Sequence, residues 1–541
     1  MPGTHTTRLW FPAALFGLTA VVIASAWWWM GGVVPMPAAT MTPGEKLYCV
    51  SYAPFREGQT PLNSTTRIEA WQIEEDLARL SKLTDCVRTY AVELGLDQVP
   101  EIAKRHGMQV IQGLWLGSKP EKNAFEVATV IELAKKYPET IRSIVVGNEV
   151  LLRGEMSAAD LANTIRGVKA RVTMPVTYAD VWEFWLRYRD VYDAVDFVTI
   201  HILPYWEDFP IPAEIGAAHV DSIRKKVAAT FPDKEVLIGE TGWPSRGRMR
   251  EGALPSPVNQ ARFFHEVIGL SKREGFHVNL IEAFDQPWKR ALEGTAGGHW
   301  GLLDARTREF KFEWGQRLSN HAFWRWQLAG GILLAGLVFA ACAMMQQRAS
   351  GISAMQWLGI AVNAAAGGIF VGLAIENVPL ESLGIGGWVR SVALAGIAFA
   401  APLAASVALI RQVPVPSFSQ ILARADQRLK DPFSLLVGMT LIGVALLALQ
   451  VALGLVFDPR YRDFPYAPLT AAMEPFMVLA VFAPRGVGSR PVAELAAAAT
   501  LAVSAIYIAL NESFVNWQAL WIAAILMAFS ITLFRVRDAQ G

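Results

Sequence analysis

The distribution of charge constrains this 541-residue chain more than any motif does. Residues 322–541 carry 13 Lys/Arg and 10 Asp/Glu, whereas residues 45–321 carry 35 and 38, and all eight histidines lie at or before His321. A segment so poor in charge offers water little polar surface. The sequence therefore implies a lipid-embedded module fused to a water-soluble domain large enough for its own core. The chain as a whole is nearly neutral, at net +1, and 53% apolar. That composition excludes disorder and leaves no basic face for nucleic acid.

Residues 9–34, LWFPAALFGLTAVVIASAWWWMGGVV, follow Arg8 and precede the Pro/Thr/Gly-rich stretch PMPAATMTPG. The run exceeds the roughly 20 residues that span a bilayer and carries interfacial tryptophans at positions 27–29, so it reads as an uncleaved anchor. Apolar stretches near 327–345, 353–375, 388–410, 433–456, 467–483, 492–510 and 517–534 give about seven further spans. The expected domains are an anchor and linker over 1–44, a soluble domain over 45–318 and a membrane domain over 319–541.

With the N-terminus inside, Arg8, Arg348, Arg411, Arg424, Arg428, Lys430, Arg485, Arg490, Arg535 and Arg537 fall in the cytoplasm. Arg325, Arg390, Arg460 and Arg462 fall outside, which obeys the positive-inside rule. The soluble domain is then expected in the periplasm of a bacterial inner membrane, with both termini cytoplasmic. Glu474 within one apolar stretch and Glu376 at the edge of another stand out. Glu376 reads as interfacial and Glu474, between Pro468 and Pro475, as paired within a re-entrant turn; a polar path through the module is the alternative.

In the soluble part, apolar runs alternate with helical periodicity at the spacing of βα units. The strands are expected at 47–53, 85–90, 109–115, 142–149, 174–180, 196–202, 235–241 and 278–285, and eight is the number that closes a (β/α)8 TIM barrel. The helix after the fourth strand has Ser157 as its N-cap, followed three residues later by Asp160. A doubly wound sheet would call for a Gly-rich phosphate turn after the first strand, and SYAPFREG is not one. The fold class is thus a TIM barrel fused to a polytopic α-helical transmembrane module. Cys49, Cys86 and Cys342 show no C-x-x-C spacing and read as buried thiols, with a Cys49–Cys86 bridge the alternative in an oxidising compartment.

Barrel enzymes carry their chemistry at the carboxyl ends of the strands. Glu149 closes the fourth run, IVVGNE, and Glu240 closes the seventh, VLIGET, so both face one mouth from opposite sides. Such a pair suits glycosidic cleavage, one group protonating the departing oxygen while the other attacks the anomeric carbon. Carboxylates about 5–5.5 Å apart would retain configuration, and the charge of one would raise the proton affinity of the other. Trp115, Trp182, Trp206, Trp243, Trp288 and Trp300 lie at or after strand ends, where indole faces can stack on sugar rings.

The strings VGNE (146–149) and GETGWPS (239–245), with SYAPF, VRTYA, LPYW, FDQPWK and HWGLLD, resemble glycoside hydrolase family 17 over about 47–315. That family comprises retaining β-1,3-glucanases and β-glucan transglycosylases. The resemblance implies Glu149 as acid/base, Glu240 as nucleophile oriented by Tyr205, and Asn148 on the sugar 2-hydroxyl. It places Tyr52, Arg88 and Tyr90 around the point of scission, although Arg88 could equally be an interior ion-pair partner. Lys289 is implied near the carboxylates, and Trp243, Trp288 and Trp300 against the glucan. Many plant-type members have an acid where Gln286 stands, so one electrostatic partner is expected to be missing.

No D-x-D, Q-x-x-R-W, P-loop, H-E-x-x-H or G-x-S-x-G occurs, and no cofactor or metal is implied. The resemblance to membrane-bound bacterial members linked to cyclic β-1,3/β-1,6-glucan synthesis implies a transglycosylase forming β-1,6 linkages on β-1,3-glucan. Its expected partners are membrane lipid and a glucan synthase in the same membrane. A periplasmic endo-β-1,3-glucanase is the first alternative, and a glucan-binding lid on an export or partner module is the second.

Overall fold

The computed structural model describes residues 10–38, 41–42, 44–346, 352–423, 429–484, 486 and 488–538. They form two compact units, one of residues 34–318 and one uniting the described parts of 1–33 and 319–541. Arg8, Arg348, Arg424, Arg428 and Arg485, five of the arginines expected on the cytoplasmic side, lie outside the described residues.

The first unit is a closed barrel of eight parallel strands in chain order. These are β1 (Cys49–Ser51), β2 (Cys86–Arg88), β3 (Gln109–Leu114), β4 (Ile141–Asn148), β5 (Val176–Val181), β6 (Val198–His201), β7 (Val236–Thr241) and β8 (Val278–Leu280). Alternate residues face inward, and Cys49, Cys86, Ile111, Val145, Ala179 and Leu237 form a small interior cluster. The opposite faces, with Val50, Val87, Val110 and Ile144, join the larger core beneath the helices. Ser157 caps the helix Ala158–Lys169 by accepting from the Asp160 N–H, as expected. Ser256 caps Pro257–Glu274, which ends on Gly275 at φ 70°.

The β1–β2 register pairs Val50 with Val87 and Ser51 with Arg88, which sets Cys49 beside Cys86 with Cα atoms 4.5 Å apart. The two are joined as a disulfide, correcting their reading as free thiols.

Among the described residues of the second unit, seven helices are long and apolar enough to cross a membrane: Trp10–Met30, Trp324–Gln346, Ala354–Glu381, Gly384–Ile410, Pro432–Phe457, Val492–Asn511 and Trp517–Arg535. The remaining apolar helix, Tyr466–Phe482, has 17 residues, fewer than the roughly 20 a span needs, and most of its side chains are buried. It is continuous through Pro475, so Glu474 does not sit in a re-entrant turn. The Glu474 Oε1 has no hydrogen-bond partner among the described residues. Glu376 instead accepts from His321 Nδ1 at 2.9 Å and from Gln327 Nε2 at 3.0 Å. The anchor belongs to this bundle, since Trp27 is fully buried and donates to the Gly368 carbonyl at 3.2 Å.

Candidate active site

Two glycines fix the backbone of the motifs that end β4 and β7. Gly147 has φ 86°, and a Cβ there would lie 2.7 Å from Val150 Cγ2, so any other residue would strain the turn and displace Val150. The ladder to β5 is interrupted at this point, and Glu149 follows with φ 53°, a left-handed conformation that lifts its side chain into the mouth. After β7, a Cβ on Gly242 would lie 2.2 Å from the Ile281 carbonyl, and this close approach to the end of β8 sets the path beyond Glu240.

Glu149, His201 and Glu240 each offer a ligand-type atom, and these atoms lie within 4.8 Å of one another. One oxygen of each carboxylate therefore lies within 4.8 Å of the other, the close approach that suits a retaining pair. His201, at the end of β6, lies between them, with Nδ1 2.7 Å from Glu149 Oε1 and Nε2 3.5 Å from Glu240 Oε1. Arg88, 1% exposed, donates to Glu240 Oε1 at 3.0 Å, to the Gly239 carbonyl at 2.8 Å and to Asn148 Oδ1. Both readings of Arg88 thus hold, as an interior ion-pair partner and as part of the site.

The phenol on Glu240 is that of Tyr90, whose hydroxyl lies 2.9 Å from both Glu240 Oε1 and Ser51 Oγ. The Tyr205 hydroxyl, expected there, donates to the Arg248 carbonyl at 2.9 Å, because the residue lies beyond the strand end and packs in the core. Tyr52 is also corrected. Ser51 points into the barrel, so its neighbour points out, and the buried Tyr52 hydroxyl meets Asp76 Oδ2 at 3.1 Å beneath a helix. Trp243 is fully buried against Phe263 and donates to the Leu254 carbonyl, which makes it core. Trp300 is 3% exposed and stacked on Trp206, while Trp288 donates to Gln286 Oε1 at 2.9 Å.

Lys289 lies 3.0 Å from Glu282 Oε1, just past β8. Burial pushes the Glu282 carboxyl up to about 7 against the opposing pull of Lys289. Glu293, on the helix Arg290–Gly297, is also raised, first by burial and then by the charges of Glu149 and Glu240, despite Lys289. The acid missing at Gln286 thus has counterparts in Glu282 and Glu293. Burial pushes Glu149 up as well, but the hydrogen bond and charge of His201, with Arg153 and Arg88, outweigh it and hold the carboxyl low. Asp180, at the end of β5, is raised to about 6 by burial, against its hydrogen bond from Tyr178.

His201, Glu282, Glu293 and Arg153 escape a reading of motifs. A lone histidine in an apolar strand looks like core, and Glu282 sits inside a run read wholly as strand. The signal available was position, since Glu282 lies just past the carboxyl end of β8 as Glu149 and Glu240 do past β4 and within β7.

A closed eight-stranded parallel barrel with two carboxylates converging at its carboxyl end has the groups that glycosidic cleavage needs. Residues 49–301 match the BtgE/BtgC glycoside hydrolase domain. The barrel is thus similar to the glycoside hydrolase domains of that kind, and the chain is an enzyme that acts by hydrolysis or glycosyl transfer. Among similar proteins is a glucan 1,3-β-glucosidase of Candida albicans, 28% identical over 252 residues, covering 42% of this chain and 82% of the relative. Another is a glucan 1,3-β-glucosidase of Saccharomyces cerevisiae, 27% identical over 253 residues, covering 42% and 80%. A solved family 17 β-1,3-glucanosyltransferase from Rhizomucor miehei is 25% identical, covers 49% of this chain and 96% of that one, and has a TM-score of 0.44.

Proposed function

We propose that this chain is a membrane-anchored, retaining β-1,3-glucan transglycosylase that joins glucan chains through β-1,6 linkages. The carrying observation is the carboxylate pair, Glu149 and Glu240, within 4.8 Å across one mouth. The names of the fungal relatives support β-1,3-glucan as the substrate class. The resemblance to bacterial membrane-bound members supports the β-1,6 product. The apolar helices support a tethered enzyme working on glucan that the cell exports, with the barrel outside the inner membrane.

In the first step Glu240 attacks the anomeric carbon while Glu149 gives its proton to the departing oxygen. Arg88 and Tyr90 both hold Glu240 Oε1, which aims the carboxylate and leaves its other oxygen for the sugar. Arg88 also fixes Asn148 by its Oδ1, turning the amide N–H groups toward a sugar hydroxyl. A glucan filling the mouth deepens the burial of Glu149, the influence that raises its carboxyl, so protonation is coupled to substrate binding. Once Glu240 is esterified its negative charge is gone, and Glu149 becomes the better base for an incoming hydroxyl.

The test is incubation of the full-length chain in detergent with a defined β-1,3-gluco-oligosaccharide, read by mass spectrometry and linkage analysis, with Glu240→Ala as the blank. Products longer than the substrate, carrying new β-1,6 bonds and absent from the variant, are expected. Shorter products alone would make the enzyme an endo-β-1,3-glucanase. An inert barrel in a chain still needed for glucan export would favour the binding-lid reading.

A further inference from the structure

A transglycosylase must prefer a sugar hydroxyl to water that is present at far higher concentration, so its acceptor has to be held beside the acid/base. The barrel has one exposed indole placed for this. Of the six tryptophans at strand ends, only Trp115 is exposed, at 40%; Trp243 and Trp300 are buried and Trp182, Trp206 and Trp288 half-buried. An indole left this open in a barrel mouth is an unfilled contact surface.

Its position is rigid. The Trp115 backbone N–H donates to Glu126 Oε2 at 2.9 Å, and the same buried carboxyl accepts from the Val92 and Glu93 backbone N–H groups, tying the ends of two strand-to-helix connections together. One face of the ring is covered by the Arg153 guanidinium, 4.1 Å from the centroid. Arg153 in turn donates to the carbonyl of Asn148, the residue before Glu149, to the Leu116 carbonyl at 2.8 Å and to Glu155 at 3.0 Å. The indole and the acid/base are therefore linked through a single side chain, whose charge also acts on the Glu149 carboxyl. The acid/base protonates the departing oxygen, so its flank of the mouth houses the leaving sugar and, after departure, whatever replaces it.

We propose that Trp115 is the acceptor-side stacking surface that sets the partition of the glycosyl-enzyme between transfer and hydrolysis. The inference rests on the transglycosylase reading above. A β-glucan ring lying on the open face of Trp115 presents a hydroxyl to Glu149 in place of water. The acceptor oxygen bonds to the anomeric carbon as the bond from that carbon to Glu240 breaks, the hydroxyl proton passes to Glu149, and Glu240 leaves as a carboxylate. Water follows the same course when the surface is empty. Pre-organisation matters because a ring that needs no ordering costs the acceptor little entropy on binding.

The test uses the full-length chain in detergent micelles with a β-1,3-gluco-hexaose tagged at its reducing end. Transfer and hydrolysis products are separated at several acceptor concentrations for wild type, Trp115→Ala and Trp115→Phe. The expected result is a transfer-to-hydrolysis ratio about tenfold lower in the alanine variant, recovered by about tenfold more acceptor, with the phenylalanine variant within about threefold of wild type. An unchanged ratio, or a loss that neither acceptor nor phenylalanine recovers, overturns the proposal. Should wild type give no longer products at all, the transglycosylase reading fails by itself, and the surface is judged from the cut. Weaker acceptor-side binding shifts cleavage in the alanine variant toward the tagged end, and an unshifted cut rejects the assignment.

Discussion

The disulfide inside the barrel lends itself to a quantitative test. Cys49 and Cys86 are 37 residues apart in sequence, and both are buried within the ring of strands. Closing a loop of that length removes about 13 cal/mol/K of chain entropy from the unfolded state, or about 4 kcal/mol at 25 °C. For a domain of about 285 residues, unfolding with about 2.1 cal/mol/K of entropy per residue, that corresponds to a fall of roughly 6–7 °C in melting temperature when the crosslink is lost. The perturbations are Cys49→Ala, Cys86→Ala and the double variant, followed by thermal unfolding of the full chain at one scan rate. Because a crosslink needs both partners, each single variant should cost nearly as much as the double, far from additivity. Alkylation of the wild-type chain taken directly from membranes should leave both thiols unmodified, as expected if the barrel faces an oxidising compartment. Additive single effects, or a loss below about 3 °C in a chain shown to be bridged, would refute the reasoning.

Glu282 binds its proton more tightly in the folded barrel, at about 7, than the ordinary 4.5 of an unburied glutamate. Its contribution is therefore fully present below about pH 4.5 and is lost as pH rises through 7, costing about 3 kcal/mol; Glu282→Gln should gain in melting temperature over wild type from pH 4.5 to pH 8, and a constant difference would count against the burial account. Glu149→Ala should lower turnover of unactivated glucan by roughly 10²–10⁴-fold while sparing a dinitrophenyl β-glucoside in the first step, with azide trapped as a β-glycosyl azide in the product spectrum. Gly147→Ala, at φ 86° with Val150 in the way, should destabilise the barrel by about 1–3 kcal/mol and depress kcat beyond the loss of folded protein; active-site titration against melting temperature would show whether the turn positions Glu149.

All eight strands were legible from period-two apolar runs, but the runs overstate the ladders. β1, β2 and β8 each keep three residues, because beyond Ser51, Arg88 and Leu280 the chain leaves its neighbours to carry Tyr90 and Glu282 toward the mouth. That Glu149 and Glu240 share one mouth was readable because both close apolar runs that the structure keeps as β4 and β7. Tyr52 was legible in principle, since the alternation that points Ser51 inward points Tyr52 outward. His201 was not, because its partners come from β4 and β7, strands brought beside it only by closure of the ring. Nor was the fate of Trp243, which depends on Phe263 of a helix packed over it. Among the membrane helices, composition marked every apolar stretch, yet it could not say that the 17-residue Tyr466–Phe482 would lie largely buried among its neighbours.

Trp27 of the anchor donates to a carbonyl 341 residues further along the chain. At roughly 5–20 residues per second, a ribosome needs about 20–70 s to make that distance. Throughout that interval the helix Trp10–Met30 lacks the neighbour that satisfies its indole, while the whole of the barrel is synthesised behind it. Membrane insertion of this protein is thus a process with a long pause built in. The helix Trp10–Met30 gains its partners only when Trp324–Gln346 and Ala354–Glu381 are made, and any factor that shelters a half-finished bundle has its client exposed for about 20–70 s.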